Sequence, residues 1–183
     1  MQTELHRHLD VSTRLSTLLE LAQAKGFEPQ STSLNSFREK FIMHTPMTDL
    51  STVIRQFIFF AKVLDRPEVL ERVAFECVED CRSEGTRQVE LRFSPSFVTS
   101  ESGLSWEVAL DAFSRGVQRA LVQYPDMKAG LICIASREFG YDAVARTVEF
   151  YVKHMTRFIG VDLAGDEKIS CRDLAGVFKG LKE

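Results

Sequence analysis

The sequence predicts an α/β fold built on a parallel sheet, and three observations carry that prediction. Strand-like and helix-like segments alternate four times along the 183 residues, the pattern of repeated βαβ units. One segment, AGLICIAS at 129–136, is a nearly continuous apolar run, as in a strand buried on both faces of a parallel sheet. Polar residues gather where the strands end: His6, His8 and Asp10, then Arg92 and Ser94, then Arg137, then Asp162 and Asp166. The carboxyl ends of parallel strands are where α/β folds place their sites. Four such units make either an open sheet or half of an eight-stranded barrel.

The first strand covers residues 3–9 and contains ELHRHLD. Successive strand side chains point to opposite faces, so His6 and His8 emerge on the same side, about 7 Å apart along the strand. Two imidazoles so placed can converge on one metal ion. The plainer alternative is a pair of polar residues on a solvated strand edge. Ser12 is the expected N-cap of the helix that follows, with Leu15, Leu18, Leu19 and Ala22 on one face and Gly26 as its stop. Residues 34–64 read as largely helical with a break around Pro46, and they hold QFIFFAKVL. Phe57, Phe59 and Phe60 of that stretch are candidates to wall a pocket, although helical periodicity sends most of them into a core.

Asp65-Arg66-Pro67 starts another helix in the early-proline manner. Its stripe of Leu70, Val73, Ala74, Cys77 and Cys81 ends at Gly85. RQVELRFSP then alternates, with Val89, Leu91 and Phe93 on one face and Glu90, Arg92 and Ser94 on the other, and Pro95 closes the strand. Ser105 caps a helix carrying Val108, Phe113, Val117 and Leu121. After the apolar strand, a helix over 140–155 presents Val144, Val148, Tyr151, Val152 and Met155. RFIGVDLAG forms the fourth strand, and a final helix is expected from Arg172. Arg92 and Arg137 are placed to fix carboxylates near the sheet's end or to make surface ion pairs. His44 and His154 read as unconnected with any metal, His154 as a solvated residue on a helix.

Composition excludes several classes. The chain is 44% hydrophobic and 27% charged, ordinary for one globular domain, and the whole of 1–183 reads as a single unit. A net charge of −3 and a pI near 5.9 argue against a broad nucleic-acid-binding surface. No run reaches the roughly 18 apolar residues of a membrane span, and the amino terminus carries no secretory core, so no membrane partner is expected and the cytoplasm is the default compartment. The four cysteines form no C-x-x-C pair. Cys77 and Cys81, four apart, read as small apolar residues of a buried helix face.

ELHRHLD, VELRFSP, the arginine of SREFG and VDLAGDE, in that order, resemble the adenosine deaminase family of metal-dependent amidohydrolases. VAFECVEDCRSEG before the second strand is similar to that family's helix. The resemblance runs from about Leu5 to the last residue and covers the family's amino-terminal half only. It implies a (β/α)8 TIM barrel, of which this chain would supply the first four βα units, a half barrel with an extra helical insertion after the first strand. It implies one zinc ion per complete site, with His6 and His8 as ligands and His8 also beside the substrate. It further implies that Asp10 bonds a ribose hydroxyl and that the backbone of Gly165 meets the purine ring.

The activity so implied is hydrolytic deamination of adenosine and 2′-deoxyadenosine to inosine and ammonia in purine salvage, with a small-molecule purine nucleoside as substrate. Members acting on free adenine tend to carry glutamate where Asp10 stands. Two departures qualify the match. Val11 occupies a position that is usually glycine, and a β-branched residue resists φ > 0. The family's remaining zinc ligands and its acid–base residues are expected beyond Glu183, so this chain alone is expected to be inactive. Its exposed strand edges are expected to promote self-association. Two other readings stay open: a non-catalytic half-barrel module, and a sibling deaminase acting on adenine or another 6-aminopurine.

Overall fold

In a computed structural model the protein is described over residues 2–41, 45–46 and 50–182. Four strands, β1 (Gln2–His8), β2 (Thr86–Phe93), β3 (Lys128–Ser136) and β4 (Gly160–Ala164), form one sheet in the order β1-β2-β3-β4. Every neighbouring pair is parallel. Among the described residues seven α-helices accompany them: α1 (Leu15–Ala24), α2 (Leu34–Glu39), α3 (Leu50–Val63), α4 (Pro67–Ser83), α5 (Pro95–Val98), α6 (Trp106–Gln123) and α7 (Tyr141–Lys153). The expected half barrel is what forms, with α1–α3 as the insertion between β1 and the crossover helix α4.

Period decides each element. On β2, Val89, Leu91 and Phe93 turn to the helical layer and are at most 1% exposed, while the alternate residues Arg92 and Ser94 turn to the inner face. β3 is buried throughout its last six residues, as its unbroken apolar run requires. Phe93 meets Phe113 of α6 edge-on, with ring centroids 4.8 Å apart. Burying such a side chain contributes about 1.5–3 kcal/mol. Pro67 opens α4 behind an extended Arg66, and Ser105 caps α6 by accepting from the Val108 N–H at 3.2 Å, both as read from the sequence.

Three local expectations need correction. Ser12 does not cap α1: its hydroxyl donates to the His8 carbonyl at 2.5 Å, and the helix starts at Leu15 behind Arg14. Arg14 is held instead by the Asp80 carboxylate of α4, at 2.5–3.0 Å. The last segment forms two short 3-10 turns, Arg172–Leu174 and Lys179–Lys182, rather than a helix, and buries Leu174 against Ala135 and Val144. His154 is not solvated. Its ring lies 4.7 Å from that of Phe150, and its side chain is 17% exposed.

Candidate active site

The carboxyl ends of all four strands open on one cavity of about 390 Å³. His6, His8 and Asp10 from β1 and the turn after it, Ser94 after β2, Ser136 at the end of β3 and Arg137 after it, and Asp162 and Gly165 from β4 and beyond all line it. Parallel strands deliver their carboxyl ends to one rim, so four stretches far apart in sequence meet there. His44 lies outside the described residues.

The imidazoles of His6 and His8 stand side by side on one strand face, with ring centroids 5.3 Å apart and planes tilted by 44°. His6 is exposed and His8 half-buried, so both retain access to an incoming ion. Their chemistry suits zinc, which neutral imidazole nitrogen binds well. The donor set is partial: among the described residues no group of three or more His, Cys, Asp or Glu is placed to hold a metal. Cys77 and Cys81 add nothing to it, being buried on α4.

Asp10 is 4% exposed and its two oxygens have different surroundings. Oδ2 accepts from the Ser94 main-chain N–H at 3.1 Å. Oδ1 is buried without a hydrogen-bond partner, 3.5 Å from His8 Nδ1. A buried carboxylate oxygen left unpaired costs free energy, so this atom is set up to receive a donor. The Ser94 hydroxyl in turn accepts from Ser136 at 2.9 Å, tying the ends of β1, β2 and β3 into one hydrogen-bonded line. Val11 does not strain the turn that carries Asp10. Leu9–Val11 is a 3-10 turn, and no non-glycine residue among those described has φ > 0.

On the far wall Gly165 has φ +104°, in the region that favours glycine. A Cβ there would fall 1.7 Å from Oε2 of Glu138, so the backbone is approached closely by a carboxylate as well. Of the two roles open for Arg92, it takes the first, pairing with Asp162 at 2.7 Å and donating to the Leu5 carbonyl at 3.1 Å. Arg137 donates to the Leu163 carbonyl at 3.5 Å instead. Of the phenylalanines, Phe57 lines the cavity, whereas Phe59 and Phe60 pack against Phe41. Asp166 is not among the residues lining the cavity and its Oδ1 accepts from the Lys168 N–H, whereas Glu167 stands at the rim. Ser136 and Glu138 were not singled out from the sequence, although both stand at the carboxyl end of a recognisable strand.

A family model described as adenosine deaminase matches residues 2–181. The chain belongs to the adenosine deaminase family. An adenosine deaminase from Clostridium perfringens is 33% identical over 181 residues, which are 98% of this chain and 52% of that protein. One from Proteus mirabilis is 34% identical over 165 residues, covering 90% of this chain and 49% of the relative. The chain thus spans about half the length of these curated relatives.

Solved structures agree on the fold. An amidohydrolase from Burkholderia ambifaria, with bound Zn, superposes with a TM-score of 0.80 at 23% identity over 94% of this chain and 46% of its own. The N6-methyl-AMP deaminase from Arabidopsis thaliana gives 0.75 at 24% over 99% and 54%. The adenine deaminase from Arthrobacter aurescens gives 0.73 at 21% over 91% and 49%. Among the described residues no helix is long and apolar enough to cross a membrane.

Proposed function

We propose that this chain carries half of the site of a zinc-dependent hydrolase that deaminates adenosine to inosine and 2′-deoxyadenosine to 2′-deoxyinosine, each with release of ammonia. The carrying observation is the pairing of two imidazoles on the same strand face with a buried, half-satisfied carboxylate on one cavity rim. His6 and His8 hold the metal through ring nitrogen. Zinc in such sites supplies water acidified to a pKa near 7.

The chain's own residues bind and orient the substrate. The Ser94 N–H pins Asp10 by one oxygen and leaves the other to accept from a sugar hydroxyl. A site built this way discriminates against free adenine, because an analogue lacking the hydroxyl leaves the buried acceptor unpaired. The Gly165 backbone meets the purine ring edge, where any side chain would stand in the way, and Glu138 must swing aside to admit it. The cavity is large enough for a nucleoside, a ligand at the small end of those held in pockets of roughly 300–1,000 Å³. The setting would be cytoplasmic purine salvage.

The described residues supply two metal donors and no acid–base partner at the reacting ring, so the 183-residue chain tested alone is expected to show no turnover. That same incomplete donor set is what favours the second reading, a non-catalytic half-barrel module. Metal analysis after dialysis against zinc tests the assignment, with His6→Ala as the control. Zinc is expected in the wild-type chain and strongly reduced in the variant. Equal zinc in both removes the ligand assignment. Calorimetry with adenosine and adenine tests the substrate arm: adenosine is expected to bind more tightly, and Asp10→Ala is expected to erase the difference.

A further inference from the structure

β1 and β2 do not keep one register. Glu4 stands level with Val89 and Arg7 with Leu91, so β1 spends three steps where β2 spends two. Residues level with each other on paired strands turn their side chains to the same face. Carried on evenly, the register at Glu4 would set His6 beside Leu91, which turns to the helices. The extra residue at Leu5–His6 moves Arg7 to that place and sets His8 beside Arg92, on the inner face. It is a β-bulge, a device that re-aims side chains and takes main-chain groups out of the ladder. The access of both imidazoles to the cavity depends on it.

A side chain of β2 takes up the main chain at this point. Arg92 donates from Nη2 to the Leu5 carbonyl at 3.1 Å and from Nη1 to the Asp162 carboxylate at 2.7 Å. It is 9% exposed, and its Nε is buried without a partner. Burying a guanidinium is costly, and the two contacts that offset the cost run to β1 and β4, both of which carry site residues. Arg92 itself does not line the cavity, so whatever it does to an ion there runs through β1. We propose that Arg92, clamped by Asp162, is the positioning residue of the paired imidazoles: it holds the Leu5 carbonyl in the bulge and thereby keeps His6 and His8 side by side on the inner face. Where zinc is concerned, this rests on the ligand assignment made above. Groups standing behind metal ligands typically contribute about 10–100-fold to metal affinity. Lysine, a point charge without the planar fork, cannot span both partners in the same way.

Proton magnetic resonance of the metal-free 183-residue chain and its zinc titration test this together. In the wild type a nuclear Overhauser contact between the His6 and His8 rings is expected, their centroids being 5.3 Å apart. Arg92→Leu is expected to lose that contact and, in competition with a chromophoric chelator, to bind zinc about 10–100-fold more weakly, while its helical circular dichroism is kept. Arg92→Lys is expected to regain part of both, and Asp162→Asn to lose part of both. These two milder variants decide the matter if Arg92→Leu does not fold. Ring contact and zinc affinity unchanged in the Arg92 variants overturn the positioning role and leave the ligand assignment standing. A wild-type chain without the ring contact overturns it too. A wild-type chain that has the contact but binds zinc no better than His6→Ala removes the ligand assignment, and loss of the contact in Arg92→Leu then upholds the positioning role by itself.

Discussion

Replacing Gly116 by alanine sets two opposed effects against each other. Gly116 lies inside α6 where that helix crosses α4. By helix propensity alone Gly116→Ala stabilises by about 1 kcal/mol. The structure opposes this: a Cβ at 116 would stand 2.1 Å from the Glu71 carbonyl oxygen, 3.0 Å from its carbon and 2.7 Å from the Ala74 Cβ. Ordinary contact distances start near about 3.5 Å, so the helices would have to part by on the order of 1 Å. The nearest obstacle is main chain, which cannot rotate out of the way. Overpacking of that kind costs about 1–3 kcal/mol or more, and the upper end applies here.

The net effect is about 2 kcal/mol of destabilisation, or roughly 4–8 °C in Tm for a chain of this size. Separation would also draw Arg115 and Arg119 of α6 away from Glu71. Thermal and urea unfolding followed by circular dichroism measure it. Adding Ala74→Gly removes the side-chain clash but not the carbonyl one, and is expected to recover less than half of the loss. A Gly116→Ala chain as stable as wild type, or more so, would refute the close-packing argument.

Two further outcomes follow from the charges and thiols. Glu20 and Glu71 are held below the usual carboxylate range by arginine hydrogen bonds, Glu79 by Tyr124 and Arg14, and Asp126 by Arg82. A group depressed in the folded state contributes stability above its unfolded pKa and loses it as pH falls through the folded value. The urea midpoint is therefore expected to hold steady from pH 7 to about 5.5 and to drop below roughly pH 4.5, the ordinary carboxylate range. Glu71→Gln is expected to blunt the drop, and a midpoint unchanged down to pH 3 would contradict these pairings. Burial pushes the Cys133 thiol up to about 12, whereas Cys171 is exposed. Iodoacetamide at pH 8 is expected to label Cys171 in the folded chain and Cys133 only in urea, as read by peptide mass mapping. Labelling of both at one rate would mean that β3 is not buried as described.

The alternation of strands and helices, the apolar third strand, the starts of α4 and α6 and the shared face of His6 and His8 were all readable from neighbouring residues. Side-chain period and capping chemistry act within a few positions, and a linear string records them. Asp10 shows where that reach stops. Its orienting donor, Ser94, is 84 residues away, and only the register of β1 against β2 brings them together. Arg92 finds Asp162 across 70 residues through two more strand pairings. The same holds for Phe57 facing the cavity while Phe59 and Phe60 turn to the core, for the withdrawal of His154 beneath Phe150, and for Gly116, which reads locally as a weak point in a helix. Each depends on how whole elements lie against one another, and no stretch of a few residues contains that.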